Sequence, residues 1–309
     1  MEPDRLFHNA LSAEAGYPCR LTPEQRAWYH LTSRTLADRA DCNAGIKMAF
    51  VTRAARLSFS YQVVSRCREQ NAVDVFENGA QTATVALETA QPGGTFSHIR
   101  ETGGQALIEL VLPNTCGLRI LDADFGAWQP APRPARKLLL LGDSIAQGIA
   151  SYGPACSLGF QLSRAWNAET VNQSVGSSRV WPVTLARLPY RPERILAAVG
   201  VNDIPNLRED EFTLRAGQYF DKLRSLYPDA RITAVTPVWN TRMRREEYAA
   251  AARAAARMIA AACERNHIET VGGDTLVPHA DRFFTKDGLQ PNDLGFVSYA
   301  QNLLQRIQW

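Results

Sequence analysis

The segment best suited to covalent chemistry is Gly142-Asp143-Ser144-Ile145-Ala146-Gln147-Gly148. It follows the continuous apolar run Lys137 to Leu141, which reads as a buried strand of a parallel sheet. Ser144 is therefore expected where open α/β sheets place their ligands, at the carboxyl end of a strand and the entrance to a helix. Exposed backbone N–H groups at a helix start can hold a developing oxyanion, which suits acyl transfer. From this motif alone, a capping serine and a nucleophile are equally good readings. Other reactive side chains are few. The histidines are His8, His30, His98, His267 and His279. The six cysteines (Cys19, Cys42, Cys67, Cys116, Cys156, Cys263) form no C-x-x-C pair, which argues against zinc and against a dense disulfide framework. Free, buried thiols are the expectation.

The elements around Ser144 alternate strand and helix, which implies a parallel sheet covered on both faces. Helices are expected at Leu158 to Trp166, Glu211 to Tyr227, Arg244 to Asn266 and Leu294 to Ile307, and strands at Glu169 to Gln173, Arg194 to Val199, Arg231 to Val238 and Ile268 to Val271. Upstream the rhythm is β. Leu57, Phe59, Tyr61 and Val63 alternate with polar residues; Val73 and Val75 lead to the turn dipeptide Asn78-Gly79, and Ala80 to Leu87 returns. Ala106 to Leu112 and Leu118 to Leu121 complete an expected sandwich or jelly roll of roughly 90 residues after a short helical or irregular lead-in. Pro130, Pro132 and Pro134 favour an extended connector. The expected division is 1–128 for the β domain, 129–136 for the linker and 137–309 for the α/β domain.

The chain of 309 residues is 45% hydrophobic and 21% charged, long enough for two ordinary cores. Its net charge of +3 is spread along the sequence, so composition offers nothing for nucleic acid or an anionic membrane. The first residues lack an apolar signal-peptide core, and the alanine-rich run Ala249 to Cys263 is broken by Arg253 and Arg257. A cytoplasmic location is the expectation.

Three further segments, with the Ser144 motif, resemble the blocks of the SGNH, or GDSL, hydrolase family from about Lys137 to Trp309. Gly176 stands in Asn172-Gln173-Ser174-Val175-Gly176-Ser177, Asn202 in Gly200-Val201-Asn202-Asp203, and the last block is Asp287-Gly288-Leu289-Gln290-Pro291-Asn292-Asp293. Order, spacing and flanking residues agree with the family. The resemblance implies a three-layer, flavodoxin-like α/β domain with no cofactor or metal. It also implies Ser144 as nucleophile, with an oxyanion hole made by the N–H of Ser144, the N–H of Gly176 and the amide of Asn202. Chemically this is sensible, because a glycine lets substrate approach its backbone and an asparagine amide donates without charge.

The family pattern D-x-x-H is broken at Gln290. Imidazole can take a serine proton and return it to the leaving group near neutral pH, and a glutamine amide cannot. Losing such a base costs up to roughly a million-fold in turnover. His279, in Val277-Pro278-His279-Ala280-Asp281, is better read as a surface-loop histidine than as a substitute base, and Asp287 could serve as one only by reaching Ser144 directly or through water. Gln290 is open to three explanations: a deliberate disabling substitution, a natural pseudoenzyme, and a variant with altered chemistry.

The region Asn43 to Asp124 also resembles, more weakly, the β-sandwich that precedes the hydrolase domain in carbohydrate O-acyl esterases and a few acyltransferases. Phe50, Phe59 and Tyr61 fall on strand-periodic positions and are expected in its core, with the domain supplying one wall of a cleft. Trp181 and Trp239 are candidates for a pocket lining. The expected activity is removal of an acyl group, acetyl in size, from a small or carbohydrate-like O-ester through an acyl-Ser144 intermediate. The alternatives are an acyltransferase and a ligand-binding pseudoenzyme.

Overall fold

The computed structural model describes residues 3–101 and 103–309; Met1, Glu2 and Thr102 of the expected β domain lie outside them. The N-terminal part opens with a short helix, α1 (Pro3–Leu6), and is otherwise largely antiparallel. In one sheet β1 (Phe7–His8), β4 (Lys47–Thr52), β9 (Ala106–Val111), β6 (Ala72–Glu77) and β7 (Ala80–Ala86) are neighbours in that order. A second sheet has the order β10 (Cys116–Asp124), β5 (Arg56–Arg66), β8 (Gly93–Ile99), and β2 (Ser12–Glu14) pairs with β3 (Tyr17–Cys19).

The alternation at Leu57 to Val63 produces the expected one-sided strand: Leu57, Phe59 and Tyr61 are buried while Ser58, Ser60 and Gln62 are not. Phe59 stacks on Phe96 at 4.7 Å and Phe50 on Phe125 at 4.2 Å, so these aromatics fill the β core. Asn78 and Gly79 both have positive φ, 49° and 86°, as the tight β6–β7 hairpin requires.

The connector is less free than its prolines imply. Its first two residues belong to β11 (Trp128–Pro130), which pairs antiparallel with β4. Proline's missing N–H is tolerated there because a short edge strand leaves one row of donors unpaired. Arg133 then ties the connector to Glu169 and to the carbonyl of Phe7.

The lead-in forms two capped helices, α2 (Pro23–Thr32) and α3 (Arg34–Ala40). Thr22 and Gln25 make a reciprocal capping box on α2, and Ser33 caps α3. They dock against the C-terminal part. Tyr29, Leu36 and Ala40 form a small apolar cluster with Val175, beside Trp28 and Trp181. Trp181 thus packs edge-on to Trp28 at 5.2 Å.

The C-terminal part is a five-stranded parallel sheet in the order β13 (Ala168–Asn172), β12 (Arg136–Gly142), β14 (Arg194–Ala198), β15 (Arg231–Val235), β16 (Glu269–Val271). All but β16 are buried along most of their length, as strands covered on both faces are, β13 even though Glu169, Thr170 and Asn172 are polar. A one-turn helix, α4 (Ser144–Gln147), follows β12. Helices α5 (Leu158–Trp166), α6 (Glu209–Leu226), α7 (Glu246–Arg265) and α8 (Asp293–Arg306) fall within one or two residues of their expected ends. Among the described residues no helix is long and apolar enough to cross a membrane. The whole is a mixed α/β structure joining antiparallel sheets to a parallel one.

Candidate active site

Ser144 is the first residue of α4, with Asp143 as its cap: Asp143 Oδ1 accepts from the Ile145 N–H at 2.9 Å. Ser144 is buried, and its N–H has no partner among the described residues, as the first turn of a helix leaves it. The Asp143 carboxyl lies in a dry setting. Burial pushes its pKa up to about 7, aided by the nearby Asp203 charge and opposed by hydrogen bonds from Ile145 and Ala146.

The loop before α8 brings Gln290 onto this serine. Gln290 Nε2 donates to Ser144 Oγ at 2.7 Å across 146 residues of chain. The loop is closed by a bridge between Phe284 and Pro291 and by the Thr285 N–H on the Gln290 carbonyl, 2.9 Å. Asp287 organises its inside: Oδ1 accepts from Thr285 Oγ1 at 2.7 Å, Leu289 N at 2.9 Å and Gln290 N at 3.1 Å. Burial alone would raise the Asp287 carboxyl, but these three bonds and the charge of Arg242 hold it below the usual carboxylate range. Gln290 Oε1 is buried with no hydrogen-bond partner among the described residues. The Gln290 side chain thus meets Ser144, while Asp287 meets only the Gln290 backbone N–H and not its side chain.

Gly176 and Asn202 lie on the loops after β13 and β14. The Gly176 N–H is directed at Gln147 Oε1, 2.7 Å away, and Asn202 Nδ2 gives one hydrogen to the Ser178 carbonyl at 2.9 Å. The second Nδ2 hydrogen remains, since an amide nitrogen carries two. A methyl at Gly176 would fall 2.4 Å from Ile149 Cδ1 and 2.8 Å from Arg39 Cδ, so the position admits only glycine without movement. The next residue, Ser177, has φ 66°, a left-handed conformation unusual for serine, and its hydroxyl accepts from Arg39 Nη1.

His279 is held elsewhere. Its ring stacks on Trp239 at 4.4 Å and its Nε2 meets the Asp274 carbonyl at 2.6 Å, in a separate groove that Trp239 also lines with Met243, Ala252 and Ala256. It is exposed on a loop, as the sequence reading expects, and is not the substitute base for Ser144.

Beside Asp287 opens a cleft of about 730 Å³ between the two parts of the chain. Cys67, Arg68 and Gln70 form its N-terminal wall, and Ile149, Tyr152 and Lys286 face them. Among the described residues no cluster of His, Cys, Asp or Glu has the makings of a metal site.

Residues 140–296, just over half of the chain, match the GDSL-like Lipase/Acylhydrolase family. The chain belongs to this family. A comparison with curated proteins gives no match. Solved structures share the fold across nearly the whole length. A GDSL-like lipase from Bacteroides ovatus is 18% identical, with 99% of this chain and 95% of that one covered at a TM-score of 0.80. A salicylyl-acyltransferase from a tetracycline biosynthetic pathway is 17% identical, with 97% and 92% covered at 0.76. A family two carbohydrate esterase from Clostridium thermocellum, in complex with cellohexaose, is 16% identical, with 85% and 90% covered at 0.63.

Around this GDSL-like centre the structure adds residues whose part the sequence did not disclose. Gln147, three positions after Ser144 and fully buried, accepts from the Gly176 N–H and donates to the carbonyls of Arg39 and Asn114. Its signal was its place one helical turn from Ser144 in the same motif. Arg20 is 2% exposed and donates to four carbonyls, those of Cys42, Asn172, Ser174 and Arg39. It clamps the lead-in to the Gly176 loop. No local pattern marks an arginine for that role, because all its partners are distant backbone.

Proposed function

We propose that this GDSL-like protein is an ester hydrolase that removes a small acyl group, acetyl in size, from an O-ester of a small or carbohydrate-like alcohol through an acyl-Ser144 intermediate, with turnover limited by Gln290. The observation that carries this reading is the 2.7 Å contact of Gln290 Nε2 with Ser144 Oγ, with Asp287 bonded behind it to the Gln290 backbone. A constellation assembled from strand ends and loops so far apart in sequence is hard to account for without a reacting serine. The developing oxyanion would be met by the Ser144 N–H and the second Asn202 hydrogen, and by the Gly176 N–H when it leaves or shares Gln147 Oε1.

The strand order supports a doubly wound, flavodoxin-like C-terminal domain in three layers, and the two larger antiparallel sheets support a sandwich of jelly-roll type before it. The carbohydrate esterases among the fold neighbours favour a sugar-borne ester, and the acyltransferase neighbour favours transfer to an acceptor alcohol at the same acyl-enzyme. Gln290 itself favours a third outcome, a site that binds its ester without turning it over, because an amide that donates to Ser144 cannot withdraw its proton.

The deciding experiment compares hydrolysis of p-nitrophenyl acetate and a panel of acetylated sugars by the protein, its Gln290→His form and its Ser144→Ala form. Hydrolysis raised by histidine and abolished by alanine supports the ester hydrolase. Product partition toward competing alcohols points to the transferase, and binding without turnover in every form points to the ester-binding protein.

A further inference from the structure

Cys42 and Cys67 are 25 residues apart in sequence, yet their sulfurs lie 3.9 Å from one another. Neither takes part in the acyl chemistry. Cys42, just past the end of α3, is 2% exposed, whereas Cys67, just past the end of β5, is half-buried and lines the cleft beside Lys286 and Asp287. The single S–H of Cys42 has two acceptors in reach, Cys67 at 3.9 Å and the Asp38 carbonyl at 3.2 Å, and three guanidinium groups, those of Arg39, Arg68 and Arg20, act on Cys67 as well. Together these outweigh burial and hold Cys67 below the ordinary thiol range. Cys156 provides a contrast within the same molecule. It too is half-buried, but burial and the charges of Asp293 and Asp74 push it up to about 11.

A thiol that is reachable from solvent, surrounded by cations and backed by a second buried thiol has the layout of a site oxidised by hydroperoxides. We infer that Cys67 is a peroxide-reactive modification site at the mouth of the cleft, with Cys42 as its resolving thiol. The Cys67 thiolate attacks the peroxide oxygen, the O–O bond breaks, and hydroxide or alkoxide leaves and is protonated, giving a sulfenic acid. Cys42, losing its proton, then attacks that sulfur and displaces water. Two thiols and one hydroperoxide thus yield one disulfide, one water and a second water or an alcohol. The sulfurs must close from 3.9 Å to about 2 Å. The bridge would fasten the end of α3 to the cleft wall. That helix carries Arg39, whose side chain packs on Gly176 and bonds Ser177, so the link reaches the loop beside Ser144.

The test uses the full chain and does not depend on its esterase activity. Reduced protein is treated with stoichiometric hydrogen peroxide, and its peptides are mapped without reduction; in parallel, the alkylation rates of all six cysteines are compared at neutral pH. The inference expects a Cys42–Cys67 linked peptide, a dimedone-reactive sulfenic acid at Cys67 in Cys42→Ser, and Cys67 alkylated at least about tenfold faster than Cys156. It is overturned if unsubstituted protein forms no such link, or if Cys156 reacts as fast as Cys67. Both of those readings come from unsubstituted protein, so they hold even if Cys42→Ser fails to fold.

Discussion

Replacing Gln290 by histidine should convert a donor on Ser144 into a base. The two side chains have similar reach, and Gln290 Nε2 already stands 2.7 Å from Ser144 Oγ, so imidazole Nε2 can take its place with little movement. Asp287, bonded to the backbone N–H of residue 290, is the carboxylate expected to orient the ring. Its Oδ1 is held by three donors and its carboxyl is kept ionised, which leaves its other oxygen to accept Nδ1–H. The orphaned Oε1 of Gln290 disappears in the exchange. A positioned general base is worth roughly 100- to 10,000-fold, or about 3–5 kcal/mol of barrier. With the carboxylate bonded to the backbone of residue 290, about 1,000-fold in kcat/KM is the expected gain. The added activity should rise with pH as the imidazole loses its proton, with a midpoint at or above about 6.5 because the Asp287 charge favours the imidazolium. Asp143 also titrates at about 7, so the difference between the two forms carries the information. The assay is continuous release of p-nitrophenolate from about pH 5 to 9, spanning the imidazole titration, with Ser144→Ala as background. A gain below about tenfold, or parent activity that histidine leaves unchanged, would refute the reasoning and assign proton transfer to another group.

In the Gln290→His form, Asn202→Ala should lower kcat about 100-fold with little change in KM, as loss of an oxyanion donor does, and steady-state kinetics would detect it. Asp143→Asn keeps an acceptor for the Ile145 N–H while removing a buried charge. The folded carboxyl titrates above its unfolded value, so the native state holds the extra proton between about pH 4 and 7 and loses stability as pH rises through that window. The variant should therefore be more stable at about pH 8, on the order of 2 kcal/mol, with a flatter pH profile in urea melts; a loss of stability there contradicts this account. Arg20→Met removes the arginine donor from the carbonyls of Cys42, Asn172 and Ser174, while that of Arg39 keeps Gln147, and should cost about 2–4 kcal/mol, seen as a lower calorimetric Tm; an unchanged Tm would show that the clamp adds nothing.

Much of this arrangement was legible in the sequence, and for definite reasons. Parallel strands such as β12 and β14 are buried on both faces and read as unbroken apolar runs, so the helices between them could be placed within a residue or two. The meeting of Ser144 and Gln290 followed from block order, since each block sits on a loop at the same end of the sheet. Less legible were features made by distant backbone. Arg20 answers to the carbonyls of Asn172 and Ser174, which no periodicity reveals. The short strands β1, β2 and β3 have too few residues to show alternation. Gln147 stands in the Ser144 motif, but nothing in that motif shows that it accepts from the Gly176 N–H. His279, read from the sequence as a surface-loop histidine, is one, stacked on Trp239.

The most direct test of the central claim, that Ser144 is an acyl-accepting nucleophile restrained by Gln290, is to map the acyl adduct. The protein and its Gln290→His form would each be quenched at intervals after mixing with p-nitrophenyl acetate, then analysed by intact mass and peptide mapping. The account predicts a single acetyl group on Ser144 in both forms. It should form slowly and persist in the protein with Gln290, form fast and turn over in the Gln290→His form, and be missing from Ser144→Ala. Acetylation confined to another residue, or none at Ser144 in either form, would contradict it.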